Sequence, residues 1–526
     1  MALVVAVGAI LRLWGLQFGL PHPFARPDEE VIVDAALGIL RDPNPHFFDW
    51  PTLFVYLTAA GYAVTFAVER GIGGAMTDAT IAKAAFEPLL HLIARALSVS
   101  AGIATIVVLF GAARELFSRR VALLAAAFLA VAFLHVRDSH FGVTDVPATF
   151  LTVCAFWASL KCATRGVTFG GVALAGGLCG LAASTKYNCG LVLLPALVAI
   201  LAPATGYRPR SIGQAARPVV VLLVCAAIGF LAGTPYAVLD YPAFIAAVTA
   251  VSRHLGGGHV VMARGWAYHA TFTLRHGLGI PLLVAAVVGA GWLIARRRWV
   301  AVMVLAFPLS YYIVLGSGFT VFARYMVPIM PFLCLTAAVA VDRVAAQISG
   351  WFTTPYAREV SVVVLAALIA FPTAATSVAF DRLMVRPDTR VIAGEWIASR
   401  FPSGVSMYQS GFGYGHVQPK PRERYVQYTF SEQTHGFVRD GRPIDPPDVI
   451  VLLESPIGAY TQTPAPIAAL VAADYVPLIA FDAITAPRAA GAVYDQEDAF
   501  FAPFAGIENA RRPGPNVGVF ERRRAR

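Results

Sequence analysis

The sequence predicts a polytopic α-helical membrane protein that ends in a small α/β domain. Of its 526 residues, 57% are hydrophobic and 14% are charged, whereas about a quarter of the residues of a soluble domain are charged. The mean hydropathy is +0.65. Apolar runs of about 20 residues recur as far as residue 379, and the chain becomes more polar beyond that point.

Each apolar run is read as a transmembrane helix, which gives about eleven spans. The run 1–20 contains Arg12 and is taken as the first of them. The run 53–68 is ambiguous, because Tyr56, Tyr62 and Glu69 also suit a helix that lies in the membrane interface. The predicted spans lie near 1–20, 89–113, 121–136, 146–161, 168–184, 189–204, 218–238, 277–295, 299–316, 326–346 and 359–379.

Basic residues in the short loops predict the orientation. With eleven spans, all the basic clusters fall on one side, which is therefore cytoplasmic. The loops 21–88 and 239–276 and the C-terminal region then face outside, so we expect a multi-pass protein of the inner or plasma membrane. The clusters consist of Arg114, Arg119 and Arg120; Lys161 and Arg165; Arg208, Arg210 and Arg217; Arg296, Arg297 and Arg298; and Arg343 with Arg358.

Residues 380–526 are expected to form an extracytoplasmic α/β domain, distinct from a membrane domain over residues 1–379. Asp388 suits the N-cap of a helix over 389–400. Strand-like runs follow at 404–409, 448–453, 475–481 and 517–521, with a helix-like run at 466–473.

Three consecutive acids, Asp28, Glu29 and Glu30, follow the first apolar run at the predicted membrane surface. One interpretation is a general base held beside a membrane-borne substrate. The other is that these are ordinary solvated loop residues. Carboxylates next to a bilayer are costly unless they are solvated or used, which makes this segment the first candidate site.

A second polar segment, residues 135–147, is expected to form the outer turn between two spans. Asp145 precedes a helical run, where a carboxylate can cap the helix and interact with its dipole. Capping does not explain why His135, Arg137, Asp138 and His140 crowd the same turn. A metal site is conceivable there, but the spacing matches no ligand signature.

Three cations lie at or near the ends of apolar runs. Lys186 and Arg324 either snorkel to lipid headgroups or bind an anionic phosphate near the outer leaflet. Arg12 lies within the first run and is expected to pair with a nearby acid.

Several short motifs, in a fixed order, resemble the GT-C membrane glycosyltransferases, in particular glycosyltransferase family 39 and the bacterial ArnT-like and RgtA/B/C/D-like transferases. The resemblance covers most of residues 12–400. The motifs are Pro27-Asp28-Glu29, Asn44-Pro45-His46-Phe47-Phe48-Asp49-Trp50-Pro51, Thr144-Asp145-Val146-Pro147, Ser184-Thr185-Lys186-Tyr187, Thr234-Pro235-Tyr236, Arg324-Tyr325-Met326-Val327-Pro328 and Glu395-Trp396-Ile397.

The resemblance implies an inverting transferase that uses a polyprenyl-phosphate sugar as donor and an envelope lipid, glycan or protein as acceptor. It implies no cofactor and no obligatory metal. Asp28 would act as base, with Glu29 or Glu30 as alternatives, and Asp145 would orient the acceptor or support the base. The remaining candidate substrate-binding residues are Lys186, Arg324, Tyr325, Arg137, His140 and Glu30.

Three alternatives stay open. A metal-dependent enzyme of the oligosaccharyltransferase type would transfer whole glycans. A transporter or flippase would be expected to place ionisable groups near the bilayer midplane, whereas most acids here gather at one face. A catalytically inactive scaffold is the third. Nucleic-acid binding is not expected, because no basic tract with interleaved aromatic residues occurs.

Overall fold

The computed structural model describes residues 1–71, 79–203, 212–257, 260, 262–354, 356–418, 424–439, 441–484 and 491–523. The chain divides into two compact units. The first consists of Met1–Trp14 and Glu29–Val378, and the second of Gly15–Asp28 and Ala379–Arg526. The acidic motif therefore lies where the chain passes from the second unit into the first. The membrane and extracytoplasmic assignment of 1–379 and 380–526 stays a prediction.

The first unit is helical throughout its described part. Its α-helices are α1 (Ala2–Leu13), α2 (Glu29–Ile39), α3 (Leu53–Gly71), α4 (Ala79–Leu116), α5 (Arg119–Val131), α6 (Phe133–Ser139), α7 (Asp145–Arg165), α8 (Phe169–Ala183), α9 (Leu193–Leu201), α10 (Ile212–Gly233), α11 (Tyr236–Leu239), α12 (Tyr241–Gly257), α13 (Gly265–Tyr268), α14 (Arg275–Leu278), α15 (Ile280–Arg296), α16 (Arg298–Gly316), α17 (Met330–Ser349) and α18 (Ala357–Met384), which runs on into the second unit. Tyr187–Val192 and Ala323–Ile329 form 3₁₀ helices, and His269–Leu274 forms a π-helix.

Six helical segments of the described chain are long and apolar enough to cross a membrane. Two further pairs of helices meet that test together but are bent, by 57° between α5 and α6 and by 112° between α14 and α15. Gly279 forms the second bend with a φ of +81°, a conformation that glycine adopts without a steric penalty. The polytopic helical fold is thereby confirmed, whereas the count of about eleven spans stays a prediction.

Three local predictions differ from the structure. Helix α1 ends at Leu13, and residues 15–28 group with the second unit, so the run 1–20 is not one helix. Helix α2 was not predicted at all. The segment 135–147 is not simply a turn, because α6 continues through Ser139 and every side chain of that helix is buried. Arg208 and Arg210 lie outside the described residues.

Close contact between helices depends on glycine at some positions. Helices α8 and α10 approach so closely that a Cβ at Gly180 would overlap the Ala226 carbonyl oxygen. Small residues at such contacts let helix backbones pack together, which is how membrane helices gain van der Waals contact without a hydrophobic driving force.

Helices α2, α3 and α4 share an apolar core. It is formed by Ile32, Val33, Ala36, Leu37, Phe54, Val55, Ala59, Tyr62, Leu90 and Ala94. The α2 members recur at the spacing of one helix face, and this packing fixes the position of the α2 N-terminus, where Glu29 and Glu30 lie.

The second unit contains a mixed five-stranded sheet. Its α-helices are α19 (Thr389–Arg400), α20 (Gly458–Thr461) and α21 (Ala465–Asp474), and its strands are β1 (Ser406–Gln409), β2 (Val426–Gln427), β3 (Thr429–Ser431), β4 (Gly436–Arg439), β5 (Arg442–Ile444), β6 (Val449–Glu454), β7 (Tyr475–Phe481) and β8 (Asn516–Arg522); Gly413–Gly415 and Ile507–Asn509 are 3₁₀ turns. The larger sheet has the order β2-β1-β6-β8-β7, parallel as far as β6 and antiparallel beyond, while β3-β4-β5 form a separate antiparallel sheet.

The predicted α/β character of the C-terminal region is confirmed. Helix α19 begins after Asp388, whose side chain accepts the Arg390 backbone N–H as an N-cap. The predicted strands correspond to β1, β6, β7 and β8, and the predicted helix to α21. The short strands β2–β5 were not predicted.

Candidate active site

Asp28 is the last residue of the N-terminal segment that belongs to the second unit. Its backbone has a φ of +75°, in the left-handed region, and its side chain is partly exposed. Asp and Asn tolerate this conformation better than other non-glycine residues, but it still has to be imposed by the surrounding structure. Such backbone outliers gather at functional sites, which makes the segment around Asp28 a candidate in its own right.

Glu29 has a different environment, in the first unit. Its side chain is fully buried, and both carboxylate oxygens accept hydrogen bonds from Arg95, at 2.9 Å from Nε and 2.7 Å from Nη2. The Gly142 backbone N–H donates to the same carboxylate at 2.7 Å. Burial opposes the charged form, but the adjacent Arg95 charge and these hydrogen bonds outweigh it, and the pKa of Glu29 lies below its usual value. Glu29 thus joins α2 to α4 and to the loop before α7.

Asp145, Lys186 and Tyr325 come together within the first unit. The Lys186 ammonium donates to the Asp145 carboxylate and lies over the Tyr325 ring, 4.9 Å from its centroid. Asp145 begins α7 and is 3% exposed, and the Lys186 side chain is 13% exposed. The predicted capping by Asp145 is not what the structure has, because Thr144 occupies the N-cap position and makes no side-chain cap bond. The Asp145 carboxylate instead holds the lysine.

Further motif residues pack beside this cluster. Tyr187 follows Lys186, and its hydroxyl donates to the Phe48 carbonyl oxygen at 2.9 Å. The Thr52 hydroxyl donates to the Gly233 carbonyl oxygen at 2.8 Å, and the Ser184 and Thr234 hydroxyls are 2.8 Å apart. The short motifs at 44–51, 184–187 and 234–236 are therefore neighbours in the fold although they are far apart in sequence.

Two more side chains belong to this region. The Arg324 guanidinium lies over the Phe322 ring, 4.0 Å from its centroid. Tyr311 on α16 is fully buried, and its hydroxyl has no hydrogen-bond partner among the residues that the structure describes. Asp145 and Tyr325 are among the titratable groups near Tyr311. The sequence did not single out Tyr311, because nothing in an apolar run distinguishes a tyrosine near the candidate site from a packing one.

The polar residues of α6 and the following turn have partners inside the protein. Arg137 donates to Asp138 at 2.9 Å and lies over the Phe141 ring. The ring nitrogens of His140 lie 3.0 Å from the carbonyl oxygens of Val136 and Trp14. Arg137 and His140 thus make these contacts within the protein, and their predicted role in substrate binding stays a prediction. Glu30 lies in the first turn of α2 and is partly buried.

Arg12, for which an acidic partner was expected, donates to backbone carbonyl oxygens. They belong to Gly8 in its own helix and to Leu129 and Ala130 near the end of α5. Its Nη2 is also 2.9 Å from Nδ1 of His135. Arg12 thereby supplies donors at the break between α5 and α6, where carbonyl oxygens lose their helical partners.

Within the described residues, no group of three or more His, Cys, Asp or Glu side chains is arranged to hold a metal ion. In the first unit, the Lys186 ammonium is held by a carboxylate and an aromatic ring at the start of α7, and its predicted role in binding a phosphate stays a prediction. A lysine in such a pair can shift its hydrogen bonds to an incoming phosphate, because an ammonium is a point charge on a flexible stem.

The profile of the dolichyl-phosphate-mannose-protein mannosyltransferase family matches residues 91–231, which include Asp145 and Lys186. No curated protein matches the chain by sequence.

Comparison with solved structures shows that the chain has the GT-C fold, as expected from the motifs. It is similar to ArnT from Cupriavidus metallidurans bound to undecaprenyl phosphate, with a TM-score of 0.55, 16% identity, and coverage of 99% of this chain and 97% of that one. It is also similar to the Archaeoglobus fulgidus oligosaccharyltransferase, with a TM-score of 0.52, 14% identity and coverage of 81% of this chain. The chain spans 63% of the length of that oligosaccharyltransferase.

Proposed function

We propose that this chain, which has the GT-C fold, is an integral membrane glycosyltransferase that moves a sugar from a polyprenyl-phosphate donor to an envelope lipid, glycan or protein. The transfer takes place on the extracytoplasmic side and inverts the anomeric carbon. The observation that carries the proposal is the cluster of Asp145, Lys186 and Tyr325, which brings three separate motifs together around the Lys186 ammonium. The fold shared with a structure that contains undecaprenyl phosphate supports the choice of donor.

In the proposed reaction, an acceptor hydroxyl attacks the anomeric carbon of the donor. Asp28 takes the hydroxyl proton, a new carbon–oxygen bond forms to the acceptor, and the bond between the anomeric carbon and the phosphate oxygen breaks. The lipid phosphate leaves with one more negative charge. Lys186 and Arg324 offset that charge, which lowers the barrier because it stabilises the transition state more than the ground state.

Asp28 is preferred to Glu29 as the base because of their surroundings. The Glu29 carboxylate is buried and accepts three hydrogen bonds from Arg95 and Gly142. A carboxylate held in this way is a weak base and cannot be reached by an acceptor. Asp28 is partly exposed and lies on a constrained backbone, which suits a group that must meet a substrate in one geometry.

The test is transfer by the full-length protein in lipid, offered a panel of radiolabelled polyprenyl-phosphate monosaccharides with an envelope acceptor fraction. We expect label to reach the acceptor from one donor. In the Asp28→Asn variant we expect turnover to fall by about 10²–10⁴-fold, the usual contribution of a positioned base, with normal abundance in the membrane.

Asp34→Asn is the matched control for this variant. Asp34 is an acid of the adjacent helix α2, its side chain is 55% exposed, and it pairs with Lys83 at the surface. We expect wild-type turnover from it. Near-normal turnover of Asp28→Asn would exclude Asp28 as the base. If the folded wild-type protein transferred no sugar from any donor, the transferase proposal would be wrong, and a transporter or a scaffold would be the better assignment.

A second candidate is an oligosaccharyltransferase-like activity, favoured by the fold shared with the archaeal enzyme. It predicts transfer of a whole lipid-linked glycan and loss of activity with a chelator. The proposed monosaccharide transfer predicts turnover that is insensitive to chelator.

A further inference from the structure

The segment that carries Asp28 is built into the C-terminal unit. Residues Gly15–Asp28 form that unit together with Ala379–Arg526. Within it, Phe18 packs edge-on against Phe500, and His22 Nε2 lies 2.9 Å from the His416 carbonyl oxygen. The backbone that presents Asp28 therefore depends on residues that lie 394 and 482 positions later in the chain.

One contact reaches the residue next to Asp28. The Arg26 guanidinium and the Asp498 carboxylate form a two-pronged ion pair, with Nη1 donating to Oδ1 at 2.9 Å and Nη2 lying 2.9 Å from Oδ2. Both side chains are buried. The same Nη1 donates to the Pro27 carbonyl oxygen at 2.9 Å. Because that carbonyl belongs to the peptide bond that leads into Asp28, Asp498 sets the orientation of this peptide through Arg26.

The geometry matches what the left-handed Asp28 requires. A non-glycine residue with a φ of +75° keeps that conformation only when the flanking backbone is held. The Pro27 ring fixes its own φ, and the Arg26 donor fixes its carbonyl. The Arg26 guanidinium also lies over the Phe500 ring, 5.5 Å from its centroid, and this contact helps to hold the arginine in place.

We propose that Arg26 and Asp498 are positioning residues, and that the C-terminal unit takes part in transfer by holding the backbone of Asp28 in its reactive orientation. This inference rests on the proposed function, in which Asp28 is the base. A displacement of about 1 Å at a reacting group costs up to about 10²-fold in rate. Loss of the hydrogen bond that holds the Pro27 carbonyl is therefore expected to lower the rate measurably.

A buried ion pair also stabilises or destabilises the unit around it, and the experiment has to separate that effect from positioning. The chain offers a control in the same unit, Asp448, whose carboxylate is bonded to Ser406. It accepts hydrogen bonds from the Ser406 backbone N–H at 3.0 Å and from the Ser406 hydroxyl at 2.6 Å. Asp448→Ala removes this acceptor and so destabilises the unit, but it leaves Arg26, Pro27 and Asp498 unchanged.

The experiment compares Asp498→Asn with Asp448→Ala in the full-length protein, in lipid, with the donor that the panel identifies. Both variants are assayed well below their apparent Tm. We expect Asp498→Asn to lower kcat by about 10–10²-fold with an unchanged KM for the donor. We expect Asp448→Ala to lower the apparent Tm but to keep kcat within about threefold.

The double variant Arg26→Met, Asp498→Leu separates the two roles further. Replacing a buried ion pair by apolar residues of similar size is often neutral or stabilising, so its Tm should recover. Its kcat should stay low, because Met has no donor for the Pro27 carbonyl. A double variant with wild-type kcat would overturn the inference.

Two readouts keep this test distinct from that of the proposed function. If Asp28→Asn keeps its turnover, the assignment of the base has failed. If Asp28→Asn is inactive while Asp498→Asn has wild-type kcat, only the positioning role has failed. Independently of activity, amide hydrogen exchange in the peptide 23–30 should rise in Asp498→Asn and not in Asp448→Ala, and unchanged exchange in Asp498→Asn would also overturn the inference.

Discussion

The adjacent carboxylates of Asp28 and Glu29 have different surroundings. Asp28 is partly exposed and has a left-handed backbone, whereas Glu29 is buried in an ion pair with Arg95. Which of them can accept a proton from a substrate follows from these surroundings and not from the sequence.

We expect Glu29→Gln to destabilise the first unit by about 3–5 kcal/mol at neutral pH, because it leaves the Arg95 charge buried without its partner. The measurement is the apparent Tm in lipid, followed by tryptophan fluorescence. The Asp34→Asn variant, which affects an exposed pair, should leave the Tm unchanged. An equal effect of both substitutions would contradict the structural role of Glu29.

The same residue predicts a pH dependence of stability. Its folded-state pKa lies below that of the unfolded chain, so the stabilisation is complete above the unfolded value of about 4.3 and is lost as the pH falls through the folded value. The wild-type Tm should therefore fall more steeply in acid than that of Glu29→Gln. If the plots of Tm against pH for the wild type and Glu29→Gln stayed parallel down to the folded pKa of Glu29, Glu29 would not be the source of the acid sensitivity.

Tyr311→Phe is expected to leave stability unchanged or to raise it slightly. The hydroxyl is buried and has no hydrogen-bond partner among the described residues, so its removal relieves a desolvation cost and breaks no bond. The apparent Tm measures this. A Tm that drops by several degrees would mean that the hydroxyl has a partner in the folded protein.

Among the secondary-structure elements, the sequence predicted best those with a long or simple pattern. Strands β6 and β7 are almost wholly apolar, β8 begins with alternating buried and partly buried residues, and α19 has an Asp cap, so each was visible locally. Helix α2 was not predicted because it is short and begins with acidic residues. Its apolar face becomes evident only from its packing against α3 and α4. The pairing of Asp145 with Lys186 was also beyond prediction, because it depends on how α7 and the end of α8 meet.

The contact between α8 and α10 gives a prediction for an element. Gly180→Ala should lower the apparent Tm markedly, because the new methyl group would overlap the Ala226 backbone and force the helices apart. Gly170→Ala in the same helix is the control. It meets nothing within 4 Å, and alanine favours helix over glycine by about 1 kcal/mol, so its Tm should hold or rise. Equal Tm values for the two variants would contradict this packing.

For the molecule as a whole, the basic loops predict which side each region faces. We expect an alkaline phosphatase fusion at the C-terminus to be active and a green fluorescent protein fusion there to be dark. Fusions placed after Gly166, beside the basic residues Lys161 and Arg165, should behave in the opposite way. The same reporter pattern at both positions would overturn the predicted orientation.

The pair of Arg26 and Asp498 also bears on how the protein is made. The two residues are 472 positions apart. At about 5–20 residues per second, the ribosome reaches Asp498 roughly 25–95 s after Arg26. Through that interval Asp498 is not yet present to pair with Arg26. A nascent chain, or one that stops short of Asp498, therefore carries every acid of the motif but lacks the support that orders it, and the loop gains its final shape only when synthesis is nearly complete.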